Sequence, residues 1–158
     1  MQIQKTKDGH LEVKSKKASI LFNDGISVNG IELEGAGEYE IGEVAIEGID
    51  DVSYVFQIDD LVLGSVNFKT KISKENIEKL SNADVILMRL DGKASEAAEA
   101  AGQIGSNVVI YLGSGDAEAA LKKAGATVEK IETLKITKAD TTEEKAYFVE
   151  VLNGGADL

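Results

Sequence analysis

The side chains that most often carry catalysis are nearly absent from this sequence. Its 158 residues include a single histidine, His10, and no cysteine. No disulfide, thiol nucleophile, zinc finger or iron–sulfur site is therefore available, and one imidazole cannot build a multi-histidine zinc centre. His10 follows Asp8-Gly9 at a predicted hairpin turn. We expect an ordinary exposed histidine rather than a general base, a metal ligand or a member of a serine triad.

Carboxylates are the abundant ionisable groups, and they are concentrated in one third of the chain. Residues 18–68 hold eleven of the 28 acidic residues and no lysine or arginine, so the whole net charge of −11 arises there. The candidate binding surface comprises Glu32, Glu34, Glu38, Glu40, Glu43 and Glu47, which share faces in pairs if the strands are regular. Three interpretations are open: a solvated outer face, a docking surface for a basic partner, or a Ca²⁺ or Mg²⁺ site without EF-hand spacing.

Charge and composition argue against several classes of partner. A net charge of −11 opposes binding to nucleic acid or to an anionic membrane, and no apolar run is long enough to cross a bilayer. Residues 35–37 lack the third glycine of a dinucleotide fingerprint, and residues 112–116 lack the lysine of a P-loop. We therefore expect a cytoplasmic protein with no secretory signal, no disulfide and no bound cofactor.

Two kinds of predicted structure position these residues. In the first part of the chain, apolar side chains alternate between turn signals such as Asn29-Gly30, which predicts an antiparallel meander. A change of parity around Gly42 predicts a bulge within a long strand at 38–49. Helices and strands alternate in the second part. The predicted helices are 73–80 and 116–124, capped by Ser73 and Asp116, and 95–104; the predicted strands are 83–90, 108–112, 126–131, 134–137 and 146–152.

The order of these elements predicts one α+β domain over residues 1–152, followed by a frayed C-terminal tail at 153–158. Residues 85–88 and 108–110 are apolar throughout, which is typical of strands buried on both faces and requires helices to cover them. The alanine-rich helix at 95–104 is expected to pack on the sheet, with an oligomer contact as the alternative.

Several segments resemble one fold family in their order and spacing. They are residues 35–41 (GAGEYEI), 44–49 (VAIEGI), 54–59 (YVFQID), 73–80 (SKENIEKL), 83–88 (ADVILM), 97–99 (AAE), 106–110 (SNVVI), 121–125 (LKKAG) and 135–140 (KITKAD). Together they resemble the small Zn-dependent hydrolase-like branch of the metallo-β-lactamase fold across residues 11–152. The resemblance implies an αββα-type β-sandwich with helices packed on the sheets.

The same resemblance implies a metal site that this sequence has lost. The family binds one or two metal ions through a His-x-His-x-Asp-His motif, a bridging aspartate and later histidines at strand ends. Here the strand at 18–24 leads straight into another strand, and the histidine motif is absent. Ser65, Phe68 and Gly113 stand where the resemblance implies ligands, and His10 matches no ligand position. The sequence is identified as a shortened, degenerate member that holds no metal.

Two functions follow as expectations. The first is a non-catalytic protein, not an enzyme, that acts as a binding or assembly module through its acidic, strand-rich surface. It would contact a protein partner, or self-associate through exposed strand edges. The alternative is a residual metal-dependent hydrolase of phosphoesters or esters, whose ligands would be carboxylates. The acids nearest to the expected ligand loops are Asp24, Asp50, Asp51 and Asp91.

Overall fold

Fourteen strands and three helices occur in residues 1–69 and 71–152, the part of the chain that the computed structural model describes. The predicted tail at 153–158 lies outside these residues. The strands are β1 Gln2–Lys5, β2 Leu11–Lys14, β3 Ser19–Phe22, β4 Ile26–Val28, β5 Ile31–Glu32, β6 Gly37–Ile41, β7 Val44–Gly48, β8 Ser53–Ile58, β9 Leu61–Asn67, β10 Val85–Arg89, β11 Val108–Gly113, β12 Glu129–Lys130, β13 Thr133–Lys135 and β14 Lys145–Glu150. The helices are α1 Lys74–Leu80, α2 Ala94–Ile104 and α3 Ala117–Lys123, and a 3₁₀ turn covers Lys138–Thr142.

The strands form two sheets. The smaller sheet has the order β13-β1-β2-β3-β4-β5 and is antiparallel, so the predicted meander is confirmed. The larger sheet has the order β12-β14-β11-β10-β9-β8-β7-β6. Its pairs among β9, β10, β11 and β14 are parallel, whereas β6, β7, β8 and β9 pair antiparallel. Helices α1 and α2 are the crossovers that parallel pairing requires.

The two sheets pack face to face, and the helices pack on the outer face of the larger sheet. Between the sheets lies a sandwich core that includes Val13, Ile20, Phe22, Ile46, Phe56, Leu63, Leu87 and Ile110. Under the helices lies a helix-layer core that includes Leu80, Ile86, Met88, Ala97, Ala101, Leu121 and Phe148. Strands β10 and β11 contribute to both cores, as their apolar sequences predicted. The alanine-rich face of α2 is buried in the helix-layer core.

The predicted bulge at Gly42 is wrong, because the chain reverses direction there. Gly42 and Glu43 form a two-residue turn between β6 and β7, and Ile41 is the register partner of Val44. Both turn residues have positive φ, 58° and 66°, as in the type I′ turn that suits the twist of a hairpin. The hydrophobic pattern changes parity because two strands meet at the turn, with no extra residue in one strand.

The helix ends agree with the prediction at α1 and differ at α3. Ser73 caps α1, its Oγ accepting the backbone N–H of Asn76 at 3.2 Å. Asp116 precedes α3 but makes no capping hydrogen bond, because its own backbone is helical (φ −76°, ψ −17°) rather than extended. Among the described residues, no helix is both long and apolar enough to cross a membrane.

Candidate functional site

The parallel strands β9, β10 and β11 end side by side at one edge of the larger sheet. At these ends Arg89, the last residue of β10, is the register partner of Asn67 on β9 and of Leu112 on β11. Ligand sites in parallel sheets commonly form outside the carboxyl ends of the strands. In this fold a ligand site is therefore expected at the carboxyl ends of β9, β10 and β11.

A cavity of about 190 Å³ lies between the two sheets at this edge. Phe22 and Ile26 line it from the smaller sheet, and Leu87 and Leu112 line it from the larger sheet. The polar part of the wall consists of Asp24, Asp51, Tyr54, Ser65, Asn67, Lys69 and Arg89. The cavity is thus an apolar recess whose wall carries two carboxylates and two cationic groups.

Arg89, the single arginine of the chain, connects separate parts of the fold beside the cavity. Its Nη1 donates to the carbonyl of Asn23 in the β3–β4 turn. Its Nη2 donates to the carbonyl of Leu152, after β14, at 3.3 Å. A guanidinium presents several donors in one plane, so a single side chain serves both carbonyls. Arg89 therefore holds the turn and the C-terminal segment at the strand ends.

The residues at the cavity do not fit the metal centre that the resemblance implies. Catalytic zinc takes imidazole, thiolate and carboxylate ligands. Residues 1–69 and 71–152 contain no group of three or more such side chains placed to hold an ion. Of the acids proposed as ligands, Asp24 and Asp51 line the cavity, but Lys69 and Arg89 share its wall and oppose the binding of a further cation.

The other two acids of the hydrolase alternative lie outside the cavity wall. Asp50 accepts the backbone N–H of Val52 at 2.8 Å and the side-chain amide of Asn76 at 2.7 Å. These bonds tie the loop before β8 to α1. Asp91 is exposed in the turn after β10, where its φ is 46°. The four carboxylates therefore do not converge on one point.

The three positions at which the resemblance implies lost ligands face different surroundings. Ser65 lines the cavity and is buried. Phe68 belongs to the helix-layer core, and a Cβ atom on Gly113 would lie 2.7 Å from the Cβ atom of Ala117 in α3. Successive residues of a strand point to opposite faces of the sheet. A shift of one position along β9 or β11 therefore moves a side chain from the cavity side to the helix side.

Two hydroxyl groups face the cavity from neighbouring strands. Tyr54 on β8 is the register partner of Ser65 on β9. Tyr54 Oη accepts the backbone N–H of Gly35 at 3.0 Å. Burial raises the pKa of Tyr54, and the hydrogen bond from Gly35 offsets only part of this effect. The phenol therefore keeps its proton at neutral pH and remains able to donate it in a hydrogen bond.

His10 is not the exposed histidine that its turn position predicts. It is half-buried, and its Nδ1 is buried without a hydrogen-bond partner among the described residues. The backbone provides the reason: the amide of His10 donates to Thr6 Oγ1 at 3.1 Å, and the amide of Leu152 donates to the carbonyl of Gly9 at 2.8 Å. Leu152, after β14, therefore packs against this hairpin turn. No acid or metal-ligating cluster forms around His10 in the described part of the chain.

An acidic face occupies the outer surface of the β6–β7 hairpin, and we define it as Glu38, Glu40 and Glu47. Glu38 is the register partner of Glu47, and Glu40 follows on the same side of β6. All three are exposed, while Tyr39 and Ile41 on the opposite side pack against the sandwich core. The acidic face borders a shallow depression with Ala45, Val55 and Gln57. No residue of β6 or β7 belongs to the helix-layer core, so the helices leave this surface bare.

The remaining candidate glutamates are not part of the acidic face. Glu43 lies in the β6–β7 turn, where Lys17 Nζ is 2.6 Å from its carboxylate and has its pKa raised by that hydrogen bond. The expected sharing of one strand face by Glu43 and Glu47 fails because Glu43 is a turn residue. Glu32 lies on the two-residue edge strand β5, and Glu34 lies in the loop that follows.

Sequence reasoning missed two polar residues of the cavity wall, Arg89 and Tyr54. A signal existed for Arg89, which is the single arginine and ends a strand that is otherwise apolar. Tyr54 carried no comparable signal, because its place opposite Ser65 depends on the pairing of β8 with β9.

Comparison with known proteins gives a match in structure without a match in sequence. No protein-family model and no curated protein sequence matches the chain. A crystal structure from Thermotoga maritima, of a protein assigned as a Zn-dependent hydrolase of the metallo-β-lactamase superfamily, superposes with a TM-score of 0.71. The match covers 96% of this chain and 99% of that chain at 15% sequence identity. The expected fold is confirmed: this chain has the metallo-β-lactamase fold.

Proposed function

We propose that this protein is a non-catalytic binding module that docks a basic, extended segment of a partner protein on β6. The proposal depends on one observation: the acidic face lies on β6 and β7, the two strands at one end of the larger sheet. Fold alone does not specify an activity, because one fold hosts many functions. The argument therefore depends on the main chain and the charges of this edge.

The main chain of β6 is available to a partner. β6 pairs with β7, and no backbone hydrogen bond joins its outer edge to another residue in the described part of the chain. In a two-residue hairpin the flanking residues, here Ile41 and Val44, bond to each other. Hydrogen bonding alternates along an antiparallel pair, so Glu38 and Glu40 turn their N–H and C=O groups outward. Such an edge is a template for strand addition.

The negative charge of the acidic face favours a positively charged partner. Within residues 1–69 and 71–152, no lysine or arginine forms a salt bridge with Glu38, Glu40 or Glu47. Glu38 and Glu47 are directly opposite each other, where like charges destabilise strand pairing. Lysine or arginine side chains on an added strand would relieve this repulsion. A second copy of the chain would instead bring its own acidic edge, which disfavours self-association here.

The proposal is tested with a short labelled peptide of alternating lysine and threonine, whose binding is followed by fluorescence anisotropy. We expect saturable binding that weakens as salt rises from low to physiological strength, because exposed charges are screened. Replacing all three residues of the acidic face with glutamine should weaken binding roughly tenfold, at about 0.5 kcal/mol for each exposed ion pair lost.

A matched variant separates the local effect from net charge. Glu78→Gln, Glu96→Gln and Glu99→Gln remove the same charge from exposed positions on α1 and α2. This triple variant should bind the peptide nearly as well as the unaltered protein. Equal losses in the two triple variants, or binding that ignores salt, would count against the acidic face as the docking surface.

The residual hydrolase alternative is less compatible with the cavity. Asp24 and Asp51 are the carboxylates on its wall, and Lys69 and Arg89 lie beside them. We expect no turnover of nitrophenyl phosphate or nitrophenyl acetate above the buffer rate when Mg²⁺, Mn²⁺ or Zn²⁺ is added. Turnover that requires one of these ions and is lost in Asp51→Asn would support the hydrolase instead.

A further inference from the structure

The cavity at the strand ends is large enough for a small organic molecule. A recess of about 190 Å³ lies between the two sheets and opens to solvent at the strand ends. An apolar cavity of roughly 150 Å³ is sufficient to hold benzene. Phe22, Ile26, Leu87 and Leu112 give this cavity an apolar body. A molecule with one ring and a short substituent would fill it.

The Ser65 hydroxyl lines this cavity without a partner of its own. Ser65 is 6% exposed, and no residue in the ranges 1–69 and 71–152 forms a hydrogen bond with its Oγ. Ser65 Oγ is not among the fully buried unpaired atoms, so it reaches the cavity space and can bond to whatever occupies that space, water included. Tyr54 adds a second hydroxyl to the wall, with no acceptor for its proton among the described residues. Both hydroxyls can donate to an oxygen atom of a ligand.

The charges around the cavity favour an uncharged ligand. Asp24 and Asp51 balance Lys69 and Arg89, so the wall has no net formal charge. Arg89 directs its guanidinium donors at the carbonyls of Asn23 and Leu152. A charged ligand would lose its hydration on entering the apolar body without gaining an excess of opposite charge.

We propose that this cavity binds a small, uncharged, single-ring molecule that carries a carbonyl oxygen. The carbonyl oxygen accepts a hydrogen bond from Ser65, and the ring packs against Phe22 and Leu87. This inference is independent of the proposed docking function, because no residue of the acidic face lines the cavity. Either proposal can fail while the other stands.

To test the proposal, the ¹⁵N-labelled full chain is titrated separately with benzamide, benzoate and benzylamine. The three probes share a ring and differ in charge. Benzamide should cause saturable shifts of the backbone amide signals of Tyr54, Ser65 and Leu87, and the two charged probes should bind several times more weakly. Ser65→Ala should weaken benzamide binding about two- to tenfold, as expected for the loss of one hydrogen bond.

A second variant keeps the proposal testable if Ser65→Ala does not fold. Ile26 is half-buried at the cavity wall, so Ile26→Phe should place a ring in the cavity and abolish benzamide binding in a folded protein. Three results would overturn the proposal: no saturable shift with benzamide, which would leave the cavity to water; equal binding of all three probes; or unchanged benzamide affinity in Ser65→Ala.

Discussion

Tyr54 shows how burial sets the chemistry of a single residue in this protein. Its side chain is 4% exposed, it lines the cavity, and its hydroxyl accepts the backbone N–H of Gly35. Burial raises the pKa of the phenol because the phenolate would lose its hydration. The neutral form is therefore the one that the folded state stabilises.

This pKa shift predicts a loss of stability in alkaline solution. Because the pKa of Tyr54 in the folded state exceeds the ordinary tyrosine value of 10.0, its contribution is fully present below about pH 10 and is lost as the pH rises through the folded pKa. Urea unfolding between about pH 8 and pH 11 should show a shallower decline in the free energy of unfolding for Tyr54→Phe than for the unaltered protein. Identical declines would contradict the assignment.

Burial also raises the pKa of Tyr111, so the Tyr111→Phe variant should likewise show a shallower alkaline decline in the free energy of unfolding.

Residue types were easier to predict than the directions of their side chains. The resemblance implied ligands at particular strand ends, and Ser65, one of the three positions named there, does line the cavity. Phe68 and Gly113 face the helices instead, because a single step along a strand reverses the side-chain direction. Arg89 was not predicted as a site residue because its hydrogen bonds reach Asn23 and Leu152, which are far away in the sequence.

At the scale of elements, the β6–β7 hairpin combines a tight turn with an unfavourable charge pair. Gly42 and Glu43 adopt the positive φ values of a type I′ turn, and this turn fixes the register that places Glu38 opposite Glu47. Like charges at such paired positions destabilise a sheet. A surface that reduces stability in this way is consistent with selection for binding, which is the proposed role of the acidic face.

The charge pair predicts that Glu47→Gln stabilises the fold. Removing one of two opposed carboxylates should raise the free energy of unfolding by about 0.2–1 kcal/mol at low salt, and the gain should shrink as salt is added. The measurement is urea unfolding at two salt concentrations, with Glu99→Gln on α2 as a control that removes an exposed charge elsewhere. A loss of stability in Glu47→Gln would show that Glu38 and Glu47 do not repel each other in the folded state.

Elements governed by local contacts were predicted well, and those governed by pairing were predicted less well. The Ser73 cap depends on a bond to Asn76 three residues away, so the sequence alone indicates it. The turn at Gly42-Glu43 lacks the usual asparagine–glycine signal, so one strand was predicted in place of two. The strands predicted at 126–131 and 134–137 are present but shorter, as β12 and β13, which pair with β14 and β1 over only two and three residues.

At the scale of the whole molecule, the packed helices and the acidic face lie on different parts of the larger sheet. The helix-layer core draws its strand residues from β9, β10, β11 and β14, and from Val55 on β8, whereas β6 and β7 contribute none. The acidic third of the sequence contains β3, β4 and β5 of the smaller sheet and β6, β7, β8 and β9 of the larger sheet. The net charge of −11 therefore arises from the same third of the sequence that contains the free edge strand β6.

Hydrogen exchange of the backbone amides, read by NMR on the full chain with and without the lysine–threonine peptide, tests the docking proposal most directly. Strand addition should slow exchange at Glu38 and Glu40, whose N–H groups face outward, and leave Tyr39, whose N–H group faces β7, unchanged. The protection should disappear when Glu38, Glu40 and Glu47 are all replaced by glutamine. Protection confined to other strands, or equal protection at Tyr39 and Glu40, would contradict the account.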